Sequence, residues 1–199
     1  VGDQAPDFEL KSVQGPTVRL SRLRGRPVVL WFSRGYNCPY CREYQARLAA
    51  AVPALAACGA EILQIAPNLL VSSRRFWKGR ELPFPFLCDP EKSSYLLCGL
   101  ADLGAGEANR NTVKGFAKAF AVHQGTMTCK AILLDVLNSE AGARLKHHAL
   151  TATQQGVFVI DADGVIRQKF VFGPLDEPLS NDELVAAVRS LQAGMVGVS

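Results

Sequence analysis

The chain has 199 residues, 48% of them hydrophobic, with 22 Lys and Arg against 18 Asp and Glu and a formal net charge of +4. That size and apolar content suit a single domain over 1–199 whose core needs no covalent staples. The mild, well-mixed charge argues against a nucleic-acid partner or a charged membrane surface, and no run approaches the roughly 18 apolar residues of a membrane span.

In chain order, Asp3 to Leu20 carries Pro6, Phe8, Leu10, Val18 and Leu20 around a Gly15-Pro16 turn. It predicts an extended arm or hairpin. Arg19, Arg22, Arg24 and Arg26 follow as a solvated basic turn. Arg26 to Ser33 is continuous in apolar residues, as a buried central strand is. Pro39 to about Ala57 predicts a helix with Tyr40, Tyr44, Leu48, Val52 and Leu55 on one apolar face. Then come a strand over Glu61 to Ala66, a helix over Leu70 to Lys78, a short strand over Phe84 to Leu87 and a helix over Asp89 to Gly99. Asn109 to His123 and Cys129 to Lys146 predict two more helices. Val157 to Ile160 is a strand, and Asp163-Gly164 marks a hairpin turn into Val165 to Phe172. Ser180 and Glu183 form a capping box for a last helix through Leu184, Val185, Val188 and Leu191. This order predicts an α/β sandwich with a mixed sheet, the closing hairpin supplying its antiparallel pair.

The chemistry concentrates in Arg34-Gly35-Tyr36-Asn37-Cys38-Pro39-Tyr40-Cys41-Arg42, directly after the apolar run Val28 to Phe32. A strand that ends in a short loop before a helix sets Cys38 at the helix N-terminus. Unpaired N–H groups and the positive end of the helix dipole favour an anion there. A thiol so held loses its proton more readily, and the thiolate is the reactive form. Cys41 falls one turn further on, close enough to bond Cys38. The other cysteines, 58, 88, 98 and 129, have no such spacing. Cys58, Cys88 and Cys98 lie in apolar surroundings and read as small core residues. A disulfide framework is not indicated, so a reducing, cytoplasmic compartment is expected, although a signal peptide already removed would leave no trace.

Several segments then resemble, in order, the alkyl hydroperoxide reductase and thiol-specific antioxidant family, the peroxiredoxin-like group on the thioredoxin fold. They are Val1 to Leu10, Leu20 to Leu30, Gly59 to Pro67, Pro85-Phe86-Leu87-Cys88-Asp89-Pro90 and Gly156 to Arg167. The resemblance implies a thioredoxin-like three-layer sandwich with an N-terminal extension and a helical insertion at about 100–150 before the last hairpin. Cys38 falls at the family's peroxide-attacking cysteine. The family's proline and threonine, seven and three residues before that cysteine, are here Trp31 and Gly35, and its arginine before the hairpin strand is Gln155.

A peroxidase of this kind needs a thiolate and donors for the departing oxygen. Arg34 and then Arg42 are the candidate donors, each also able to favour the Cys38 thiolate. Tyr36 and Gln155 are expected to hydrogen-bond at the substrate. The Cys38 sulfenic acid would condense with Cys41, or less favourably with Cys129. The resemblance implies a peroxide substrate, a thioredoxin-like or glutaredoxin-like electron donor, no cofactor, no nucleic acid, no membrane and a homodimer.

Three other readings remain open. Cys-Pro-Tyr-Cys equally suits a thiol–disulfide oxidoreductase, against which Thr151 to Gly156 lacks the proline such proteins share before the strand facing the cysteines. A metal module would need two more ligands. Only His147-His148 is tempting, and adjacent helical residues point apart. A redox-inactive scaffold would leave both cysteines unreactive.

Overall fold

The computed structural model of the protein describes residues 1–103, 153–173 and 176–193. The expected helices over 109–123 and 129–146, most of the insertion at about 100–150, Cys129, His123 and His147-His148 lie outside those residues. β1 (Glu9–Ser12) and β2 (Thr17–Arg19) form the expected N-terminal hairpin. β3 (Val28–Phe32), α1 (Pro39–Ala57), β4 (Glu61–Ala66) and α2 (Leu70–Trp77) follow. Then come β5 (Phe86–Cys88), α3 (Ser93–Leu97), β6 (Gln155–Ile160), β7 (Ile166–Phe172) and α4 (Asn181–Ala193). No described helix is long and apolar enough to cross a membrane.

Among the described residues, seven strands form one mixed sheet in the order β2-β1-β5-β4-β3-β6-β7. β3 lies at its heart, parallel to β4 (Val28 opposite Glu61) and antiparallel to β6 (Val28 opposite Ile160). All five β3 side chains are buried, which is why the run reads apolar throughout rather than alternating. Alternation still sorts them by face. Val29 and Trp31, with Val157 and Val159 of β6, pack under Leu48 and Leu55 of α1 and Leu184 and Val188 of α4. Val28, Leu30 and Phe32 face the other layer, made by Phe8, Leu10, Leu20 and Tyr95. α2 covers Ala66, Phe86 and Cys88 through Phe76 and Trp77. Cys58, Cys88 and Cys98 are buried, as expected of small core residues.

Three expectations are corrected. Tyr40 is 38% exposed and does not open the apolar face of α1. That face runs Cys41, Tyr44, Leu48, Ala51, Leu55, in steps of three and four, with Tyr40 about a sixth of a turn from its centre. The strand expected at Phe84 to Leu87 is Phe86–Cys88, because Pro85 has no N–H for a ladder and only its carbonyl is used, by Gln64 N–H at 3.0 Å. The helix expected over Asp89 to Gly99 is Ser93–Leu97. Lys92 turns the chain with φ +57°, and the Asp89 carboxylate accepts the N–H groups of Ser93 (3.1 Å) and Ser94 (2.8 Å), so residues 89–92 form the entry rather than the helix. The final capping box forms as read: Ser180 N–H donates to Glu183 Oε2 at 2.8 Å and Glu183 N–H to Ser180 Oγ at 3.3 Å.

Candidate active site

The loop between β3 and α1 is held from below before any chemistry is placed on it. Ser33 N–H donates to the Ile65 carbonyl at 2.8 Å, extending the β3–β4 ladder by one residue. Its hydroxyl oxygen accepts from Gln64 Nε2 (3.0 Å) and from Gly35 N–H (3.3 Å). Gln64 Oε1 in turn accepts from Gln45 Nε2 of α1 at 2.7 Å. On the opposite face, the Tyr95 hydroxyl lies 2.5 Å from the Ser33 carbonyl and 2.9 Å from that of Ile65. All four of these side chains, Ser33, Gln45, Gln64 and Tyr95, are buried, where each polar group without a partner costs about 1–3 kcal/mol. Paired as they are, they fix where the loop starts.

Gly35 then turns the chain with φ +95°. A Cβ there would also fall 2.1 Å from Asn68 Oδ1. That oxygen accepts the Tyr36 N–H at 3.3 Å, so the loop after β3 is tied to the loop after β4. A positive φ and a close approach together demand glycine. Cys38 N–H returns to the Gly35 carbonyl at 3.2 Å.

Cys38 is the N-cap of α1, with Pro39 at the start of the first turn. Its sulfur accepts the Cys41 N–H at 3.4 Å, the bond a serine or aspartate oxygen ordinarily makes there. Several groups favour its thiolate. The largest effect is the hydrogen bond from the Cys41 thiol, opposed by burial and then reinforced by the Arg34 charge and the N–H groups of Cys41 and Tyr40. The result is a pKa lowered from 9.0 to about 6. Cys41 moves the other way. It is only 2% exposed, and burial, its hydrogen bond to Cys38 and the charge of Cys38 push its pKa well above 9.0. Two thiols three residues apart are thus pushed in opposite directions, Cys38 towards the thiolate and Cys41 towards the protonated thiol.

The structure brings Arg34, a buried residue, to the two thiols. Arg42 is exposed on the first turn, where its N–H donates to the Cys38 carbonyl at 3.1 Å. Tyr36 is turned towards α2: its ring stacks on Phe76 with centroids 4.4 Å apart, and its hydroxyl is hydrogen-bonded to Ser72. Gln155 reaches the site from β6, but its carbonyl oxygen accepts from Cys41 Sγ at 3.1 Å. Sequence reasoning missed Ser33, Gln45, Gln64 and Asn68. A signal existed for Gln64, the one amide inside an otherwise apolar stretch of a buried strand.

A thiolate at a helix N-terminus after the central strand, with a protonated thiol one turn on, defines a thioredoxin-fold thiol redox protein. The sequence pattern of the AhpC/TSA family matches residues 1–113, and the chain belongs to that family as a peroxiredoxin-like member. Relatives agree. Chloroplastic peroxiredoxin Q of Oryza sativa subsp. japonica is 33% identical over 88 residues, 44% of this chain and 41% of that protein. Peroxiredoxin Bcp of Bacillus subtilis is 32% identical over 91 residues, 46% of this chain and 58% of that one. The chain therefore spans about two fifths of the rice relative it matches. The crystal structure of peroxidoxin BcpB from Mycobacterium tuberculosis shares the fold, with a TM-score of 0.60 and 21% identity over 96% of both chains.

Proposed function

We propose that this protein is a thiol peroxidase that reduces hydrogen peroxide or an alkyl hydroperoxide. The observation that carries the reading is the pair of opposed thiols, Cys38 held as thiolate beside buried Arg34 and Cys41 held protonated. The Cys38 thiolate attacks one peroxide oxygen and the O–O bond breaks. Cys38 becomes a sulfenic acid and the other oxygen leaves as alkoxide or hydroxide, which takes a proton to become alcohol or water. The guanidinium of Arg34 faces the charge that develops on that oxygen. Cys41 then attacks the sulfenic sulfur, water departs, and the Cys38–Cys41 disulfide forms. An external dithiol of thioredoxin or glutaredoxin type reduces it by exchange. A reducing cytoplasm and a homodimer belong to the same reading.

The test is hydrogen peroxide consumption driven by thioredoxin and thioredoxin reductase. Turnover falls below about 0.1% in Cys38→Ser and weakens in Cys41→Ser. The same opposed thiols also suit a dithiol reductase of protein disulfides. Insulin reduction without peroxide consumption decides for that alternative.

A further inference from the structure

Gln155 occupies the position of the family's pre-hairpin arginine in the sequence, yet its bond goes to Cys41. β6 alternates, so Gln155, Val157 and Val159 share the face that α1 covers. The two valines do what that face asks and pack on Trp31, Tyr44 and Leu48. Gln155 places an amide there, 5% exposed. A buried amide among apolar neighbours is costly unless it is hydrogen-bonded. Its carbonyl oxygen accepts from the Cys41 thiol at 3.1 Å. Register sets the distance: Gly156 pairs with Phe32, the last residue of β3, so Gln155 lies one step further, level with the start of the loop that carries Cys38.

The Cys41 thiol has one proton and two acceptors, the Cys38 sulfur and the Gln155 carbonyl. While Cys38 is a thiolate, its charge draws that proton. Once the Cys38 sulfur has bonded to oxygen or to another sulfur it is neutral and a poor acceptor, and Gln155 is then the partner that still orients Cys41. We propose that Gln155 is the positioning residue of the resolving thiol, setting how fast Cys41 displaces a group from the Cys38 sulfur and leaving the first attack by Cys38 untouched. In that step the Cys41–H bond breaks and the Cys41–Cys38 bond forms. The group on Cys38 leaves, as water carrying the proton from a sulfenic acid or as a thiolate from a mixed disulfide with the proton passing to solvent. The assignment deepens the peroxidase reading by giving its resolving step a dedicated residue, and it applies to any electrophile that Cys38 has captured.

The experiment uses 5,5′-dithiobis(2-nitrobenzoate), which needs no peroxidase activity. Cys38 releases one coloured thiolate in a phase proportional to reagent. Cys41 then releases the second in a phase independent of reagent. In Gln155→Met, which keeps the volume and removes the carbonyl, the second phase is expected to slow about tenfold while the first stays within about twofold. Gln155→Glu separates orientation from bulk: its carboxylate repels the forming Cys41 thiolate at pH 8, and at low pH the protonated acid restores the acceptor and brings the second phase back to that of the native protein at the same pH. An unchanged second phase in both variants, equal slowing of both phases, or slowing of the first alone overturns the assignment. Absence of peroxide consumption by the native protein, with this two-phase split intact, removes the peroxidase reading and leaves Gln155 in place.

Discussion

The two ends of the sheet handle polar groups in opposite ways. At the C-terminal ends of β3 and β4, Ser33, Gln45, Gln64 and Asn68 are buried and bonded to one another or to backbone. At the other end, the turn from β6 to β7 and the N-terminal arm beside it are each held by more open contacts: Arg167 pairs with Asp161, Arg19 with Asp7 at 2.9 Å, and Arg24 donates to Gln4 at 3.0 Å. In the three pairs the arginine or glutamine partner stays in contact with water. Exposed pairs contribute between nothing and about 1 kcal/mol each, whereas breaking a buried bond leaves its partner unsatisfied. The first end fixes geometry at a thiol and the second fixes a turn, although both look equally polar in composition.

The largest expected effect lies on the thiol itself. Arg34→Gln removes the charge that favours the Cys38 thiolate. Alkylation by iodoacetamide is expected to titrate with a midpoint of about 6 in the native protein, its rate falling as pH drops through that value. In the variant the midpoint climbs towards 9, and the rate at pH 6 falls about tenfold. A midpoint that does not move removes Arg34 from the site. Next comes Gln64→Leu, which leaves the Gln45 amide without its acceptor and Ser33 Oγ without one donor. Urea unfolding is expected to show a loss of about 2 kcal/mol. The smallest effect is expected from Asp161→Asn, since asparagine can still accept the N–H groups of Asp163 (3.0 Å) and Val165 (2.9 Å) and loses only the charge on Arg167. Less than about 1 kcal/mol is expected in the same assay. If Asp161→Asn costs more than Gln64→Leu, the contrast between the two ends fails.

What was legible in the sequence is what local pattern dictates. β4 and α1 have the expected bounds, because a largely apolar run and a proline directly after the capping cysteine need no distant partner to be read. Cys38 at the helix start and the Ser180–Glu183 box follow from the same local rules. What was not legible depends on residues far apart. The direction of Tyr36 is decided by Gly35 and by Asn68, 32 residues away from Tyr36. The hairpin β1–β2 joins the sheet through β5, Lys11 opposite Cys88, a pairing no local pattern states. The bond of Gln155 to Cys41 spans 114 residues. Reading Gln155 as a group for substrate followed from its place before the hairpin. The register of β6 on β3, which no local pattern states, is what also brings it to the second thiol.

One consequence follows from Cys38 being the cap of its own helix. The sulfur proposed to attack peroxide is also the acceptor that closes the first turn of α1. Bonded to Cys41, as the proposed cycle requires, it would carry no charge, and the helix dipole and the Cys41 N–H would lose their anion. The reduced, deprotonated protein is therefore the form in which this turn is best closed. Its advantage is complete above pH 9 and fades as pH falls towards about 6. In the proposed cycle, reducing a Cys38–Cys41 disulfide would regain that helix cap, which favours the reduced form over that of an unstrained surface pair.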